Sequence, residues 1–269
     1  MTARPRMLIT VPEGPHYRAD ALAAGALALG MDVTRDRGVR PRPGDVLVTW
    51  NLHRGQSSLV EQWHAVGGSV LVMENGYIGA DDDGRQLYAL ARDAHNGAGR
   101  WYVGGFERWH SLGIVAASAI DYDRDGYTLV IGQRGIGSAQ MRSPSTWHHN
   151  VGAPAARGRW PGTPVVIREH PGQHRSARAL EDDLAGAARV LIWSSACGVS
   201  ALVRGIPVWF DAPTWIGRQG AQRLAALHSE TIATRPTDPR YALRDIAWAQ
   251  WRLAEIASGE ALGRLLMLT

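Results

Sequence analysis

Hydrophobic residues in the first part of the chain form short continuous runs, and segments of helical spacing separate them. Short apolar runs between turn residues are typical of buried strands, whereas apolar positions every three to four residues indicate a helix. The sequence predicts strands at Met7–Val11, Asp45–Trp50 and Ser69–Met73, with helices at Tyr17–Leu29 and Ser57–Val66. This alternation favours a parallel sheet with right-handed crossovers.

A second series of the same kind follows the loop-rich segment Gly79–Gly113 and a break near Asp121–Asp125. Its predicted strands are Thr128–Ile131, Pro164–Arg168, Arg189–Trp193 and Pro207–Phe210, and its predicted helices are Ala196–Arg204 and Tyr241–Leu268, the latter interrupted at Ser258-Gly259. We therefore expect an α/β protein with two Rossmann-like domains facing a cleft, over residues 1–124 and 125–269. Ligands of such sheets bind at the carboxyl ends of the strands.

The composition places the chain among globular proteins. Of 269 residues, 45% are hydrophobic and 20% are charged, which excludes wholesale disorder. The apolar runs are far shorter than the ~20 residues that span a bilayer, and the N-terminus lacks a signal-peptide pattern. With Cys197 as the single cysteine, no internal disulfide can form. We expect a soluble cytoplasmic protein.

The charged residues are unusual in kind. The net charge is +4 and all 29 basic residues are arginine. Codon bias in a GC-rich genome explains this, yet planar guanidinium groups also suit phosphates and stacking on bases. Eleven tryptophans add large apolar area, mostly for packing, with a few available as stacking platforms for sugars or bases. The charge alone is too small to establish a nucleic-acid partner.

Polar groups follow three predicted strands of the second half. They are the loop Gly132–Ser138 with Gln133, Arg134 and Gly135, the turn Glu169–Gly172 with His170, and the pair Ser194-Ser195. Because the carboxyl ends of parallel strands share one edge, these groups together outline a phosphate-binding pocket. Taken singly, each has a simpler interpretation as a turn histidine, a serine N-cap or a loop without the dinucleotide fingerprint.

These residues resemble the donor half of two-domain glycosyltransferases of the GT-B type, with the closest resemblance to the capsule Kdo-transferase and sialyltransferase-like group. The resemblance lies in His170-Pro171, Ser194-Ser195 and the stretch Ala201–Val208, and the loop Gly132–Ser138 is similar to the family's glutamine-containing loop. In the first half, Glu74-Asn75-Gly76 resembles the motif that holds the catalytic carboxylate, with asparagine in place of the second acid.

The resemblance implies a metal-independent enzyme with a UDP-sugar or CMP-sugar as co-substrate and no other cofactor. In this interpretation Glu74 acts as general base toward the acceptor hydroxyl, or lies solvated in a turn if it has no role. His170 stabilises the leaving phosphate. The predicted donor-binding residues are Gln133, Arg134, Gly135, Arg168, His170, Ser194 and Ser195.

The acceptor is less well specified by sequence. Small glycosyltransferases of this kind resemble bacteriophage enzymes that modify hydroxymethylated pyrimidines in DNA. This resemblance favours DNA as the acceptor, with the target base flipped out of the duplex, and it implies the host cytoplasm as the location if a bacteriophage encodes the chain. His95, Asn96 and Trp101 are predicted acceptor contacts, or else belong to a surface turn. The alternatives are a capsule or surface glycan as acceptor, a non-catalytic nucleotide- or DNA-binding accessory protein, and a sugar-nucleotide epimerase.

Two further clusters are predicted to have no catalytic role. The run Asp81–Asp83 is interpreted as a solvated acidic loop, although it superficially matches a metal motif of another glycosyltransferase fold. The pair His148-His149 has no cysteine or acidic partner at metal-like sequence spacing, so no metal site is expected. A serine hydrolase is excluded because a G-x-S-x-G motif is absent.

Overall fold

The computed structural model describes residues 4–52, 54–118, 125–135, 141–172, 178–228 and 238–268. The chain divides into two units, Met1–Leu112 with Ala247–Thr269, and Gly113–Ile246. The predicted break falls mostly on residues 119–124, which lie outside the described residues. Within the described ranges, each helix is too short or too polar to cross a membrane.

Short strands and helices alternate along both units. The strands are β1 Arg6–Ile9, β2 Asp32–Thr34, β3 Val46–Trp50, β4 Ser69–Ala80, β5 Gln86–Arg92, β6 Tyr127–Ile131, β7 Val165–Arg168, β8 Ala187–Ile192, β9 Val208–Phe210, β10 Gln222–Arg223 and β11 Gln250–Trp251. The α-helices are α1 Ala19–Ala28, α2 Ser57–Ala65, α3 Glu107–Ser111, α4 Ala153–Arg159, α5 Leu180–Ala185, α6 Cys197–Val203, α7 Arg240–Trp248, α8 Leu253–Ala257 and α9 Glu260–Leu266.

The sheet of the first unit is parallel at one side and antiparallel at the other. Its strand order is β11-β5-β4-β3-β1-β2. The strands β1, β3 and β4 pair in parallel, as predicted, and β2, which was not predicted, pairs in parallel with β1. Strand β5 is antiparallel to β4, and β11 is antiparallel to β5. The expectation that Gly79–Gly113 is loop-rich was therefore wrong in part. The stretch Leu87–Ala91 is buried and forms a strand, although its flanking Gly and Asp residues favour a loop.

The sheet of the second unit confirms the predicted parallel arrangement. Its order is β10-β9-β8-β6-β7, and every pair is parallel. The central strand β6 lies between β7 and β8, so the carboxyl ends of these three strands lie side by side at one edge. All four strands predicted for this part of the sequence are present.

The last two helices, α8 and α9, belong to the first unit, which differs from the predicted division into residues 1–124 and 125–269. Helix α8 packs against α1, and Trp251, Ile256 and Leu262 are fully buried in the same core cluster as Met7 and Leu22. The predicted helical tail Tyr241–Leu268 is divided into α7, α8 and α9, and the strand β11 at Gln250–Trp251 separates α7 from α8. Helical spacing indicates an apolar face on such a segment. It does not encode which surface that face covers, and the structure shows that it covers α1.

A close approach between α1 and α8 gives the first prediction. A Cβ atom at Gly25 would lie 2.1 Å from the backbone oxygen of Ile256. Gly25→Ala should therefore lower the free energy of unfolding by about 1–3 kcal/mol, the usual cost of overpacking a core. Urea denaturation measures this change. The matched control is Gly263→Ala in α9, where the nearest atom would be 3.6 Å away and alanine should be neutral or stabilising. Equal effects of the two substitutions would contradict the docking of α8 on α1.

Candidate active-site residues

Glu74 lies in β4 where the strand changes from buried to partly exposed. The preceding residues Val70–Met73 are buried, and β4 pairs regularly with β5 as far as Asn75 opposite Tyr88. The register then shifts before Ala80, which pairs with Gln86. Bulges of this kind bend a strand and redirect its side chains, and they are frequent beside active sites.

The side chain of Gln250 holds this bulge, and sequence reasoning missed it. Its Oε1 accepts hydrogen bonds from the backbone N–H groups of Tyr77 (2.8 Å) and Ile78 (3.1 Å), and its Nε2 donates to the Ile78 carbonyl (2.6 Å). Gln250 is 1% exposed and comes from the C-terminal segment of the chain. Its separation from Glu74 in sequence left no local signal that could have identified it.

Polar side chains surround the carboxyl group of Glu74. His95 Nε2 lies 3.8 Å from Glu74 Oε1. With its amide nitrogen turned toward Glu74, Asn51 donates to Oε1, and its oxygen accepts from Trp50 Nε1 at 3.3 Å. Asn51 has a φ of 55°, a left-handed conformation that asparagine tolerates better than most residues. This backbone conformation accompanies the approach of Asn51 to the carboxylate.

Burial shifts the protonation of this group of residues. It raises the pKa of Glu74 to about 8 and lowers the pKa of His95 to about 4. Burial also raises the pKa of Tyr77, and the charge of Glu74 adds to that shift. At neutral pH the carboxyl group is therefore mostly protonated and the imidazole is neutral. Once ionised, Glu74 is a stronger base than an exposed carboxylate.

The predicted acceptor residues differ in their positions. His95 lies beside Glu74, and its Nδ1 is buried with no hydrogen-bond partner among the described residues. Asn96 is buried, and its side-chain oxygen accepts from the Gly97 N–H at 2.7 Å. Trp101 packs against the core of the first unit. The structure thus brings His95 to the carboxylate, while the acceptor role of all three residues stays a prediction.

In the second unit, Gln133 and Ser194 confirm that the ends of β6 and β8 converge. Gln133 Oε1 accepts from the Ser194 N–H at 2.7 Å, and Gln133 Nε2 donates to Ser194 Oγ at 3.3 Å. Ser194 is buried, and its hydroxyl donates to the Met141 carbonyl at 3.2 Å. These bonds fix the two loops relative to each other. The Ser195 hydroxyl accepts from the Cys197 N–H at 3.2 Å, which leaves its own O–H available to donate.

His170 and Arg134 lie close together, at the ends of β7 and β6 respectively. The Gly172 N–H donates to His170 Nδ1 at 2.9 Å, so the neutral ring carries its proton on Nε2. Arg134 packs against the same turn, since a Cβ atom at Gly172 would lie 2.9 Å from Arg134 Cδ. Burial lowers the pKa of His170, and the positive charge of Arg134 adds to this effect. The pair offers an N–H donor beside a permanent cation, which suits an anion.

Gly135 continues the loop after Arg134 in a left-handed conformation. Its φ is 69°, and a Cβ atom there would lie 3.1 Å from the Ser143 carbonyl oxygen. The backbone conformation and the tight contact therefore favour glycine at this turn. The remainder of the loop to Ser138 lies outside the described residues.

Arg168 does not fit the predicted donor contact. Its guanidinium group forms an ion pair with Asp183 and donates to the Arg178 carbonyl at 3.0 Å, and the side chain is 10% exposed. A buried ion pair of this kind costs stability when one partner is redirected. The structure thus gives Arg168 a role in the folded unit, and the exposed Arg134 fits the part of a fixed cation better.

The histidine pair, which has no partner at metal-like sequence spacing, has an acidic partner in the folded structure. His148 Nε2 lies 2.9 Å from Glu169 Oε2, and His149 Nε2 lies 2.8 Å from Glu169 Oε1. Glu169 is about twenty positions further along the chain, so metal-like spacing was not visible in the sequence. The folding of β7 beside β6 brings these side chains together.

The acidic run has the solvated environment that the sequence predicted. It forms the turn between β4 and β5, in which Asp81 Oδ1 accepts from the backbone N–H groups of Asp83 and Arg85. The side chains of Asp82 and Asp83 are 87% and 64% exposed. This geometry is that of an exposed hairpin turn.

Comparison with known proteins identifies structures of similar fold but no matching sequence family. No known protein family matches the sequence, and no curated protein matches it. Two solved structures of KpsC from Thermosulfurimonas dismutans are similar to this chain. The β-Kdo 2,7 transferase has a TM-score of 0.56 at 11% identity and covers 91% of this chain and 90% of its own. The β-Kdo 2,4 transferase has a TM-score of 0.53 at 12% identity, with 93% and 91% covered. The chain therefore shares the two-unit α/β fold of these GT-B-like Kdo transferases.

Proposed function

We propose that this protein is a glycosyltransferase that moves a sugar from a nucleotide-sugar donor to an acceptor hydroxyl, with no metal ion in the transfer step. The observation that supports it most strongly is the set of polar groups at the ends of β6, β7 and β8. A fixed cation, an imidazole N–H and one loop with two serines, Ser194 and Ser195, share that edge of a parallel sheet. The fold shared with two Kdo transferases agrees with the proposal.

The edge formed by the carboxyl ends of β6, β7 and β8, called the donor edge below, stabilises the departing nucleotide. When the bond to the sugar breaks, the phosphate gains negative charge, and fixed donors aimed at that charge lower the barrier. His170 donates from Nε2, because Nδ1 is occupied by the Gly172 N–H. Arg134 supplies a positive charge beside this donor. Ser195 adds a hydroxyl donor, and the bonds between Gln133 and Ser194 hold the loops in place.

Glu74 supplies the base in the first unit. The acceptor hydroxyl loses its proton as it attacks the sugar, and a carboxylate takes that proton most efficiently when its pKa lies near the working pH. Burial raises the pKa of Glu74 to about 8, well above that of an exposed carboxyl group. Asn51 donates to Oε1 and so orients the group, while Gln250 fixes the bulge that follows it.

The raised pKa of Glu74 predicts how the rate depends on pH. Because the base must be ionised, kcat/KM should rise about tenfold per pH unit below pH 8 and level off above it. Of the groups that face Glu74, His95 stays neutral in this range and the pKa of Tyr77 is raised, so neither adds a competing charge. Initial rates across pH 5.5–9.5 test this. A rate that stays flat across this range, as expected of a base with the ordinary glutamate pKa of 4.5, would contradict the assignment.

Two acceptors remain as proposals. The arginine-only basic composition favours a 5-hydroxymethylpyrimidine in DNA, since guanidinium groups bind phosphates well. The similarity to Kdo transferases favours a capsule or surface glycan. DNA binding that weakens steeply with salt would accompany the first acceptor, because phosphate contacts release counterions.

One experiment separates these functions. The protein is incubated with UDP-sugars and CMP-sugars, and with hydroxymethylated DNA, plain DNA or glycan acceptors, and products are analysed by mass spectrometry. A sugar-sized mass increase on hydroxymethylated nucleosides alone supports the DNA acceptor, and an increase on a glycan supports the second. Conversion of the donor without an acceptor would indicate an epimerase. Donor binding with no turnover would indicate an accessory protein and overturn the proposal.

A further inference from the structure

Two imidazole nitrogens and two carboxylate oxygens converge in the second unit. His148 Nε2 and His149 Nε2 lie 2.9 Å and 2.8 Å from the two oxygens of Glu169. The ligand atoms that the three residues offer all lie within 4.8 Å of one another. In the described part of the chain, this is the one group of three or more His, Cys, Asp or Glu side chains close enough to share an ion.

The local backbone explains how two consecutive histidines reach one carboxylate. Neighbouring residues of an α-helix point about 100° apart, since the helix has ~3.6 residues per turn. Here residues His148–Gly152 form a π-helical turn, a rare geometry that is frequent at functional sites, and the two imidazole rings lie 4.4 Å apart between centroids. The turn therefore directs both rings toward Glu169.

The backbone around the cluster also holds it in place. A Cβ atom at Gly132 would lie 3.2 Å from His148 Nδ1, so the absence of a side chain there makes room for the ring. The Gly132 N–H donates to the Arg168 carbonyl at 2.8 Å, which ties the end of β6 to the residue before Glu169. The three side chains thus come from segments that the sheet already fixes.

The donor set has the chemistry of a transition-metal site. Two histidines and one carboxylate bind Zn²⁺ in many proteins, at about 2.0–2.2 Å from each ligand atom. The cluster is closed on one side, where the His148 side chain is 5% exposed, and open on the other, where Glu169 and His149 are 27% and 48% exposed. An open side provides an entry path and positions for water.

We propose that His148, His149 and Glu169 form a binding site for a divalent transition-metal ion, with Zn²⁺ as the best fit. The ion would cross-link the π-helical turn to the loop that carries His170, because Glu169 and His170 are adjacent. This inference stands on the geometry of the cluster alone and is independent of the proposed transfer reaction.

Calorimetric titration of the untagged full-length chain with ZnCl₂, after treatment with a chelator and its removal, tests the site. We expect saturable binding of one ion per chain and a Zn²⁺-dependent rise in the midpoint of thermal unfolding. Mg²⁺ should bind far more weakly, because it prefers oxygen ligands. Absence of saturable Zn²⁺ binding would overturn the proposal and leave a hydrogen-bonded cluster of two imidazoles and a carboxylate.

Two substitutions and one control assign the binding to these residues. His149→Ala and Glu169→Gln should each weaken Zn²⁺ binding at least tenfold, and because the His149 side chain is half exposed, its removal leaves the core intact. The control is His64→Ala, a half-exposed histidine that pairs with Asp93 at 3.2 Å outside the cluster. It should bind Zn²⁺ as the wild type does. Wild-type affinity in both His149→Ala and Glu169→Gln would overturn the proposal.

Discussion

Glu74→Gln is expected to reduce sugar transfer at least ~100-fold while donor affinity stays unchanged, since removing a general base typically costs 10²–10⁴ in rate. Glutamine keeps the size of the side chain and can still pair with Asn51, but it cannot take a proton from the acceptor. Rates are measured at pH 8.5, where wild-type Glu74 is mostly ionised. Calorimetry with the nucleotide-sugar donor measures binding separately.

A matched substitution shows whether loss of any carboxylate from this unit, rather than of Glu74 in particular, lowers the rate. Glu61 lies exposed on α2 of the same unit, so Glu61→Gln should keep wild-type kcat. Transfer by Glu74→Gln at more than a third of the wild-type rate would exclude Glu74 as the base. Loss of donor binding in Glu74→Gln would instead assign this carboxylate to the donor.

His170→Ala should lower kcat by about 10²–10³, the usual effect of removing one hydrogen-bond donor from a developing negative charge. The loss is expected in kcat as well as in donor affinity, because the phosphate becomes more negative as the sugar leaves. His170→Gln places an amide N–H in the same region and should restore part of the rate. Steady-state kinetics with a saturating acceptor measures both parameters.

The control for His170 is an exposed histidine of the other unit. His110 is exposed on α3 of the first unit and stacks on Phe106, so His110→Ala should leave kcat unchanged. If His170→Ala raised KM and left kcat at its wild-type value, the imidazole would contribute only to ground-state binding. That result would remove His170 from the transfer step.

The arrangement of the second unit could be predicted from the sequence with good accuracy. Strands β6, β8 and β9 are mostly apolar apart from Thr128 and Arg189, which is typical of parallel strands buried on both faces. Because the carboxyl ends of such strands meet at one edge, the approach of Gln133 to Ser194 follows from the pattern alone. The same rule placed His170 beside this edge, next to Arg134.

Features that depend on contacts between distant segments could not be predicted in this way. Local spacing shows that α8 and α9 are amphipathic, but the complementary surface on α1 is more than two hundred residues away in sequence. Three other contacts are of the same type. They are the hydrogen bond of Gln250 to the bulge after Glu74, the ion pair of Arg168 with Asp183, and the contact of Glu169 with His148. Each follows from tertiary packing that a residue pattern does not encode.

The most direct measurement of the central claim is the binding of nucleotides and nucleotide sugars to the edge formed by β6, β7 and β8. Calorimetric titration is carried out with UDP, CMP and their sugar conjugates on the wild type, Arg134→Ala, His170→Ala and Glu74→Gln. We predict that at least one of these compounds binds once per chain, that Arg134→Ala and His170→Ala weaken it at least tenfold, and that Glu74→Gln binds as the wild type does. Failure of every nucleotide to bind, or affinity that is the same in Arg134→Ala and His170→Ala as in the wild type, would contradict the account.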